Sequence, residues 1–97
     1  MKQTHSVLII EDEDVIRTTL REFLVGESYK VAEAANVADA LALARKHDFE
    51  VAICDVQLPD GDGIELLRRL QQINLETFVM VITAYASVDN AIEAFKA

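Results

Sequence analysis

The sequence predicts an α/β fold, a doubly wound parallel sheet with helices on both faces. Short apolar runs end abruptly at acidic or polar residues, and apolar side chains at helical spacing follow them. A continuous apolar run is typical of a strand buried on both faces. Strands that alternate with helices form parallel sheets through right-handed crossovers. At 97 residues the chain has room for one domain, which we assign to residues 1–97.

The first strand and helix lie near the N-terminus. Residues 7–10 are all apolar, and four acids follow directly at positions 11–14. The next apolar side chains recur at helical spacing, at Ile16, Leu20, Phe23 and Leu24. This stripe predicts a helix over about residues 14–25. Gly26 stands where the C-terminal cap of that helix belongs.

The second strand and helix have a weaker pattern. Lys30–Ala34 alternates in part between polar and apolar residues, and we interpret it as a strand. Asn36 is suited to cap the N-terminus of the helix that follows. The helix is predicted from apolar residues at helical spacing, namely Val37, Ala40, Leu41 and Ala44.

Two further strands and helices complete the pattern. Residues 51–54 are apolar and stop at Asp55, and residues 58–63 have the proline, aspartate and glycine content of a turn. A helical stripe follows at Ile64, Leu67 and Leu70. Phe78–Ile82 is the fourth apolar strand, and Ser87 is expected to cap a last helix. The stripe of that last helix is Val88, Ala91, Ile92 and Phe95.

The residues that directly follow the strands are the first candidates for function. Glu11 and Asp12 follow the first strand. Asp55 follows the third strand, and Thr83 follows the fourth. If the first and third strands are neighbours, as in the flavodoxin-like order 2-1-3-4, three carboxylates converge at one edge of the sheet. Converging carboxylates raise one another's pKa unless a cation neutralises them, and their oxygens suit a hard ion, so we predict a Mg²⁺ site.

The same acids argue against a nucleotide or flavin cofactor. A phosphate in this crevice needs glycines and free backbone amides at the first turn, whereas this chain has acids at residues 11–14. Carboxylates with Mg²⁺ are instead suited to attaching a phosphoryl group to one carboxylate. In that chemistry Asp55 is the expected nucleophile, and the Thr83 hydroxyl is expected to donate a hydrogen bond to a phosphoryl oxygen.

Three segments resemble the receiver domain of bacterial two-component response regulators. They read Leu-Ile-Ile-Glu-Asp-Glu-Asp-Val-Ile-Arg at residues 8–17 and Cys-Asp-Val-Gln-Leu-Pro-Asp-Gly-Asp-Gly-Ile-Glu-Leu-Leu at residues 54–67. The third reads Val-Ile-Thr-Ala-Tyr-Ala-Ser-Val-Asp-Asn-Ala at residues 81–91. The resemblance covers residues 7–97 in order and spacing. The last segment is most similar to receivers of nitrogen-regulatory transcriptional activators.

The resemblance implies a role for each site residue. In this family the acids at Glu11 and Asp12 help to bind Mg²⁺, and the aspartate at Asp55 binds Mg²⁺ and accepts a phosphoryl group from a sensor histidine kinase. The backbone carbonyl at Gln57 also binds the metal. The hydroxyl at Thr83 turns toward the phosphoryl group. Three positions tune the site or the lifetime of the phosphate, namely Gln57, Ala84 and Tyr85.

One departure from the family pattern lies at the C-terminal end. The family continues with a fifth strand that carries a Lys-Pro pair, and then a fifth helix, and this sequence ends before them. No lysine can therefore be assigned the family's phosphate-binding role, and we expect residues 1–97 to be a C-terminally incomplete receiver. Without a fifth strand, Phe78–Ile82 would be an exposed sheet edge, so we expect self-association through it.

The composition limits the partners. Nine Lys and Arg against 17 Asp and Glu give a net charge of −8, so we expect no direct contact with nucleic acid by this segment. No apolar run approaches the roughly 18 residues of a membrane span, so we expect no membrane contact. The single cysteine, Cys54, has no partner for an internal disulfide, and we interpret it as buried apolar filler in a cytoplasmic protein.

Three functions remain open on the sequence. The first is a phosphorylated switch that acts on an output domain or partner, which the resemblance implies is a transcriptional one. The second is a phosphate-independent interaction module with the receiver fold. The third is a phosphatase that forms an aspartyl phosphate, but such enzymes need a second aspartate two residues after the nucleophile, where this chain has Gln57.

Overall fold

A four-stranded parallel sheet forms the centre of the molecule in the computed structural model, which describes residues 5–82. The strands are β1 (Ser6–Ile10), β2 (Lys30–Ala34), β3 (Val51–Asp55), β4 (Gln57–Leu58), β5 (Gly61–Asp62) and β6 (Phe78–Ile82). The helices are α1 (Asp14–Gly26), α2 (Val37–Lys46) and α3 (Gly63–Ile73). The sheet order is β2-β1-β3-β6, which confirms the predicted order 2-1-3-4 for the four long strands.

Each central strand is buried on both faces. In β1, Leu8 packs on one side of the sheet with α2 and α3, whereas Ile9 packs on the other side with α1. In β3, Ile53 lies on the α1 side and Cys54 on the opposite side. This two-sided packing explains why the strands have continuous apolar runs in place of alternating polar residues.

The register of the sheet brings the strand ends to one edge. Ile10 pairs with Cys54, and Asp55 pairs with Ile82. Because all four strands are parallel, the residues after Ile10 and at the end of β3 meet at the same edge. The predicted convergence of the acids therefore follows directly from the register.

The end of α1 differs from the prediction. Gly26 is the last residue of the helix and Glu27 is the C-cap, so the expectation that Gly26 is the cap is wrong. The left-handed residue is Ser28, with φ 72°. The Tyr29 amide donates to the Leu24 carbonyl at 3.0 Å, which is the hydrogen bond of a Schellman ending. The helix ends one residue later than predicted, because its backbone hydrogen bonds continue past Gly26.

Residues 58–63, predicted as a turn, contain regular secondary structure. Gln57 pairs with Asp62 and Leu58 pairs with Gly61, which makes β4 and β5 an antiparallel hairpin, called the hairpin below. The Asp62 carboxylate accepts from the Ile64 amide at 2.8 Å and caps α3. At the start of α2, the predicted cap is confirmed, since the Asn36 side chain accepts from the Asp39 amide at 2.8 Å.

Strand β6 is an edge strand among residues 5–82. It pairs with β3 on one side, and no second strand of this described part pairs with it. Two of its apolar side chains are exposed, Phe78 at 65% and Val81 at 42%. The predicted helix after Ser87 lies outside the described residues.

The described helices are short. None of those within residues 5–82 combines the length and the apolar content that a bilayer span requires.

Candidate functional site

Three carboxylates meet at the carboxyl edge of the sheet. Glu11 and Asp12 follow β1, and Asp55 ends β3. Each offers one oxygen, and these oxygens lie within 4.8 Å of one another. Glu11 is buried, Asp55 is partly buried and Asp12 is exposed. We call these three residues the acidic site, and the structure brings together the acids that the sequence predicted.

Glu11 is the buried member of the acidic site, with 2% of its surface exposed. Its amide donates to the Ala34 carbonyl at 3.0 Å, which holds the chain beside β2. The pKa of its carboxyl is raised to about 7, chiefly by burial; the hydrogen bond from the Glu13 amide lowers it, and the carboxyls of Asp12 and Asp55 add to the rise. The site therefore concentrates negative charge that a cation would relieve.

Arg17 fixes the loop that carries Glu11. Its Nη1 donates to the Glu11 backbone oxygen at 2.7 Å. Its Nε lies 3.4 Å from a carboxylate oxygen of Glu33, and its Nη2 also pairs with Asp14. The guanidinium thus ties the β1–α1 loop to strand β2. No feature of the sequence alone indicated this role, because the partners are a backbone oxygen and a residue 16 positions away.

Gly63, the first residue of α3, packs against the backbone of Asp55. The Gly63 amide donates to the Val56 carbonyl at 2.8 Å. A β-carbon at Gly63 would lie 1.9 Å from the Asp55 backbone oxygen. Only glycine allows this approach, so the start of α3 and the end of β3 can meet here.

Cys54 lies directly beneath the acidic site and is fully buried. Its Sγ lies 3.1 Å from the Asp55 backbone oxygen. Burial, followed by the negative charges of Asp55 and Glu11, raises the pKa of the thiol to about 12. The prediction that Cys54 is buried is confirmed, and its thiol stays protonated at neutral pH.

Asp60, at the tip of the hairpin, caps a helix distant from it in sequence. Its carboxylate accepts from the Val37 amide at 2.7 Å and from the Ala38 amide at 3.1 Å. Hydrogen bonds from these amides, that of Val37 first, lower the pKa of the Asp60 carboxyl. The sequence analysis assigned Asp60 only to a turn.

The remaining predicted site residues are less fully described. The backbone of Gln57 belongs to β4, directly after the Asp55–Val56 step. Thr83, Ala84 and Tyr85 lie outside the described residues.

The donor atoms of the acidic site fit a hard divalent cation. All three are carboxylate oxygens, the ligands that Mg²⁺ and Ca²⁺ prefer. Burial and, to a smaller extent, the neighbouring carboxyls disfavour the ionised form of Glu11, and a bound cation would favour it. The residues present therefore suit the predicted Mg²⁺.

The fold and the site together define a class of protein, a flavodoxin-like domain with acids at the carboxyl edge of its sheet. Residues 7–97 match the model of the response regulator receiver domain. The chain therefore belongs to the response regulator receiver family, and the resemblance found in the sequence is confirmed.

Curated relatives include transcriptional regulators. The chain is 38% identical over 90 residues to the transcriptional regulatory protein ZraR of Klebsiella oxytoca, covering 93% of this chain and 20% of that protein. It is 40% identical over 90 residues to the response regulator protein PilR of Pseudomonas aeruginosa, with the same coverage of each chain. The chain thus spans about a fifth of the length of these relatives.

Solved structures of receiver domains share the fold. A CheY-like receiver domain protein from Methanospirillum hungatei has a TM-score of 0.83 at 29% identity, over 97% of this chain and 75% of that one. A response regulator from Burkholderia pseudomallei has a TM-score of 0.80 at 33% identity, over 95% of this chain and 54% of that one. The Burkholderia structure carries a phosphorylated aspartic acid and a calcium ion.

Proposed function

We propose that this receiver domain accepts a phosphoryl group on Asp55 from a sensor histidine kinase in a Mg²⁺-dependent reaction. The observation that carries the proposal is the acidic site. At the carboxyl edge of the sheet, one oxygen each of Asp55, Glu11 and Asp12 lie within 4.8 Å of one another, close enough to bind one ion. The phosphorylated aspartate and the cation of the related Burkholderia protein support the same chemistry.

The reaction is a single displacement at phosphorus. A carboxylate oxygen of Asp55 attacks, a new P–O bond forms, and the P–N bond to the kinase histidine breaks, with the imidazole taking up a proton. The product is a mixed anhydride, an acyl phosphate. When bound, Mg²⁺ would neutralise charge on the phosphoryl oxygens. Glu11, Asp12, Asp55 and the backbone carbonyl of Gln57 would hold it.

The other predicted residues would act on the phosphorylated state. The Thr83 hydroxyl would donate a hydrogen bond to a phosphoryl oxygen, and the small side chain of Ala84 would leave room for that group. Gln57 and Tyr85 would set how quickly water removes it. Autodephosphorylation would use the same site, so the domain assists its own turnover without acting on a separate substrate.

The downstream partner is proposed from the relatives. ZraR and PilR are regulators about five times longer than this chain, and ZraR is named as transcriptional. We therefore propose that phosphorylation shifts a conformational equilibrium that an output domain reads, with transcription as the outcome. Because of the net charge of −8, contact with nucleic acid would belong to the output domain. We place the protein in the cytoplasm, where Cys54 would stay reduced.

The acceptor is tested by intact mass. The chain is incubated with Mg²⁺ and a small acyl phosphate, alongside Asp55→Asn and the control Asp48→Asn. The control removes an exposed carboxylate that precedes the start of β3, whereas Asp55 lies at the other end of that strand. We expect the wild type and Asp48→Asn to gain one phosphoryl group, and Asp55→Asn to gain none. Persistent labelling of Asp55→Asn would overturn the assignment. An unlabelled wild type would favour the phosphate-independent interaction module.

We also propose self-association of the 97-residue chain through β6. The support is the exposure of Phe78 and Val81 on a strand with a single partner among residues 5–82. Light scattering over rising concentration should detect a dimer or larger species, and Phe78→Lys should reduce it. A monodisperse monomer at high concentration would contradict this proposal.

A further inference from the structure

We propose that Asp60 is a positioning residue for the acidic site, because its carboxylate anchors the hairpin to the first turn of α2. The inference rests on the proposed function, since the hairpin begins at Gln57, whose carbonyl would bind the metal. Asp60 itself touches neither the metal nor the phosphoryl group in this proposal.

The anchor joins two segments that are distant in sequence. The Asp60 carboxylate accepts from the amides of Val37 and Ala38, 23 and 22 residues earlier in the chain. These amides are among the donors that a helix leaves unsatisfied at its N-terminus, and an anionic acceptor is favoured there. The neighbouring Gly61 fits tightly, since a β-carbon at that residue would lie 3.1 Å from a methyl group of Val37.

The hairpin needs an external anchor because it is very short. Its ladder contains only the pairs Gln57–Asp62 and Leu58–Gly61. A hairpin of this size is not stable by itself in water. Among the described residues of the hairpin, Leu58 packs into the core, and the Asp60 carboxylate is the polar side-chain group that joins the tip to α2.

The hairpin connects directly with the acidic site at its other end. Val56 separates Asp55 from Gln57, and the Val56 carbonyl accepts from the Gly63 amide at 2.8 Å. Gly63 in turn lies against the Asp55 backbone oxygen. A hairpin released from α2 would therefore loosen the backbone on which the proposed metal carbonyl is carried, while leaving Glu11 and Asp12 in place.

The chain offers a matched control at the same helix end. Asn36 also caps α2, but it accepts from the Asp39 amide within its own segment, and it has no hydrogen bond to the described side chains of the hairpin. Asn36→Ala and Asp60→Ala each remove a cap of α2, and each is expected to lower stability by a similar amount. Only Asp60→Ala also releases the hairpin.

The test measures Mg²⁺ affinity by calorimetry, with Mg²⁺ alone as the probe, and the lifetime of the phosphorylated form. We expect Asp60→Ala to weaken Mg²⁺ binding about tenfold, in the range seen for residues that orient metal ligands, and to change the lifetime. Asn36→Ala should keep both values of the wild type. Asp60→Asn, which retains one acceptor oxygen, should recover part of the affinity.

Two results would overturn the proposal. One is an Asp60→Ala variant with wild-type Mg²⁺ affinity and lifetime, and the other is an equal loss in Asn36→Ala, which would assign the effect to α2 stability. If the wild type neither binds Mg²⁺ nor takes up phosphate, the proposed function fails separately. The anchor is then judged by the backbone amide resonances of Gln57, Leu58 and Gly61. Shifts in Asp60→Ala alone would support it, and unchanged resonances would refute it.

Discussion

Gly63 and Asp55 approach so closely that a single added β-carbon at Gly63 would lie 1.9 Å from the backbone oxygen of Asp55. This contact sets the start of α3 directly against the proposed phosphoacceptor. The start of α3 can lie this close to β3 because Gly63 has no side chain, and any substitution of Gly63 must move backbone that belongs to the site.

Gly63→Ala is therefore expected to lower the free energy of unfolding by about 2 to 4 kcal/mol and to reduce phosphoryl uptake, because backbone has to shift to relieve the overlap. Urea denaturation and intact mass measure the two effects. The matched control is Gly26→Ala, where no atom lies within 4 Å of the new β-carbon and φ is not positive. The control should be neutral or stabilising by up to about 1 kcal/mol. Equal stability of the two variants would contradict the role of the contact.

Glu11 should make the stability of the metal-free protein fall as pH rises. Its pKa is about 7 in the folded chain against 4.5 in the unfolded chain. Between these values the folded state holds a proton that the unfolded state has lost, so the free energy of unfolding decreases from pH 4.5 to pH 7, by about 1 to 3 kcal/mol.

Denaturation across this pH range in a chelating buffer tests the Glu11 prediction. Glu11→Gln should flatten the dependence, and added Mg²⁺ should restore wild-type stability near pH 7, where the ion binds the ionised carboxylate. The prediction fails if the wild type and Glu11→Gln have the same pH profile.

Arg17→Met should be more damaging than Arg21→Met. Both arginines pair with Glu33, but only Arg17 also donates to the Glu11 backbone oxygen. Loss of that charged hydrogen bond is expected to cost about 1.5 to 3 kcal/mol and to weaken Mg²⁺ binding, whereas Arg21→Met should cost less than about 1 kcal/mol. Thermal unfolding and calorimetric Mg²⁺ titration of the two variants provide the comparison, and a larger loss in Arg21→Met would be inconsistent with it.

Ser28→Gly is expected to stabilise the fold by about 0.5 to 1 kcal/mol. Ser28 has φ 72°, a left-handed conformation that costs a residue with a side chain about 1 to 2 kcal/mol. Glycine removes this cost but gains entropy in the unfolded chain, so part of the benefit is lost. Chemical denaturation gives the difference, and a destabilised Ser28→Gly would argue against a Schellman ending at this position.

Much of the fold could be predicted because the signals for strands and helices lie in short, continuous stretches of the sequence. The apolar runs that end in Glu11 and Asp55 identify both the buried strands and the acids at their ends, and parallel pairing then brings the acids together. The left-handed conformation of Ser28 could not be predicted in the same way. Glycine adopts that conformation at lower cost than serine, and Gly26 lies only two residues away, so the sequence favours Gly26 as the cap.

The features that the sequence missed depend on contacts between distant segments. Asp60 has the composition of a turn residue, and its capping of α2 becomes evident only when the hairpin is placed beside Val37. The role of Arg17 was equally hard to predict, because Arg17 lies on α1 and its partner Glu33 lies on strand β2. The periodicity of a single sequence does not indicate which side chains from distant segments come into contact.

The central claim is that the phosphoryl group resides on Asp55 as an acyl phosphate, and its chemistry allows a direct test. Borohydride reduces an acyl phosphate of aspartate to homoserine and leaves phosphate esters of hydroxyl groups intact. After phosphorylation with Mg²⁺ and reduction, peptide mass spectrometry should find homoserine at residue 55, and samples with a chelator should keep aspartate there. Homoserine at another residue, or phosphate retained on a serine or threonine, would contradict the account.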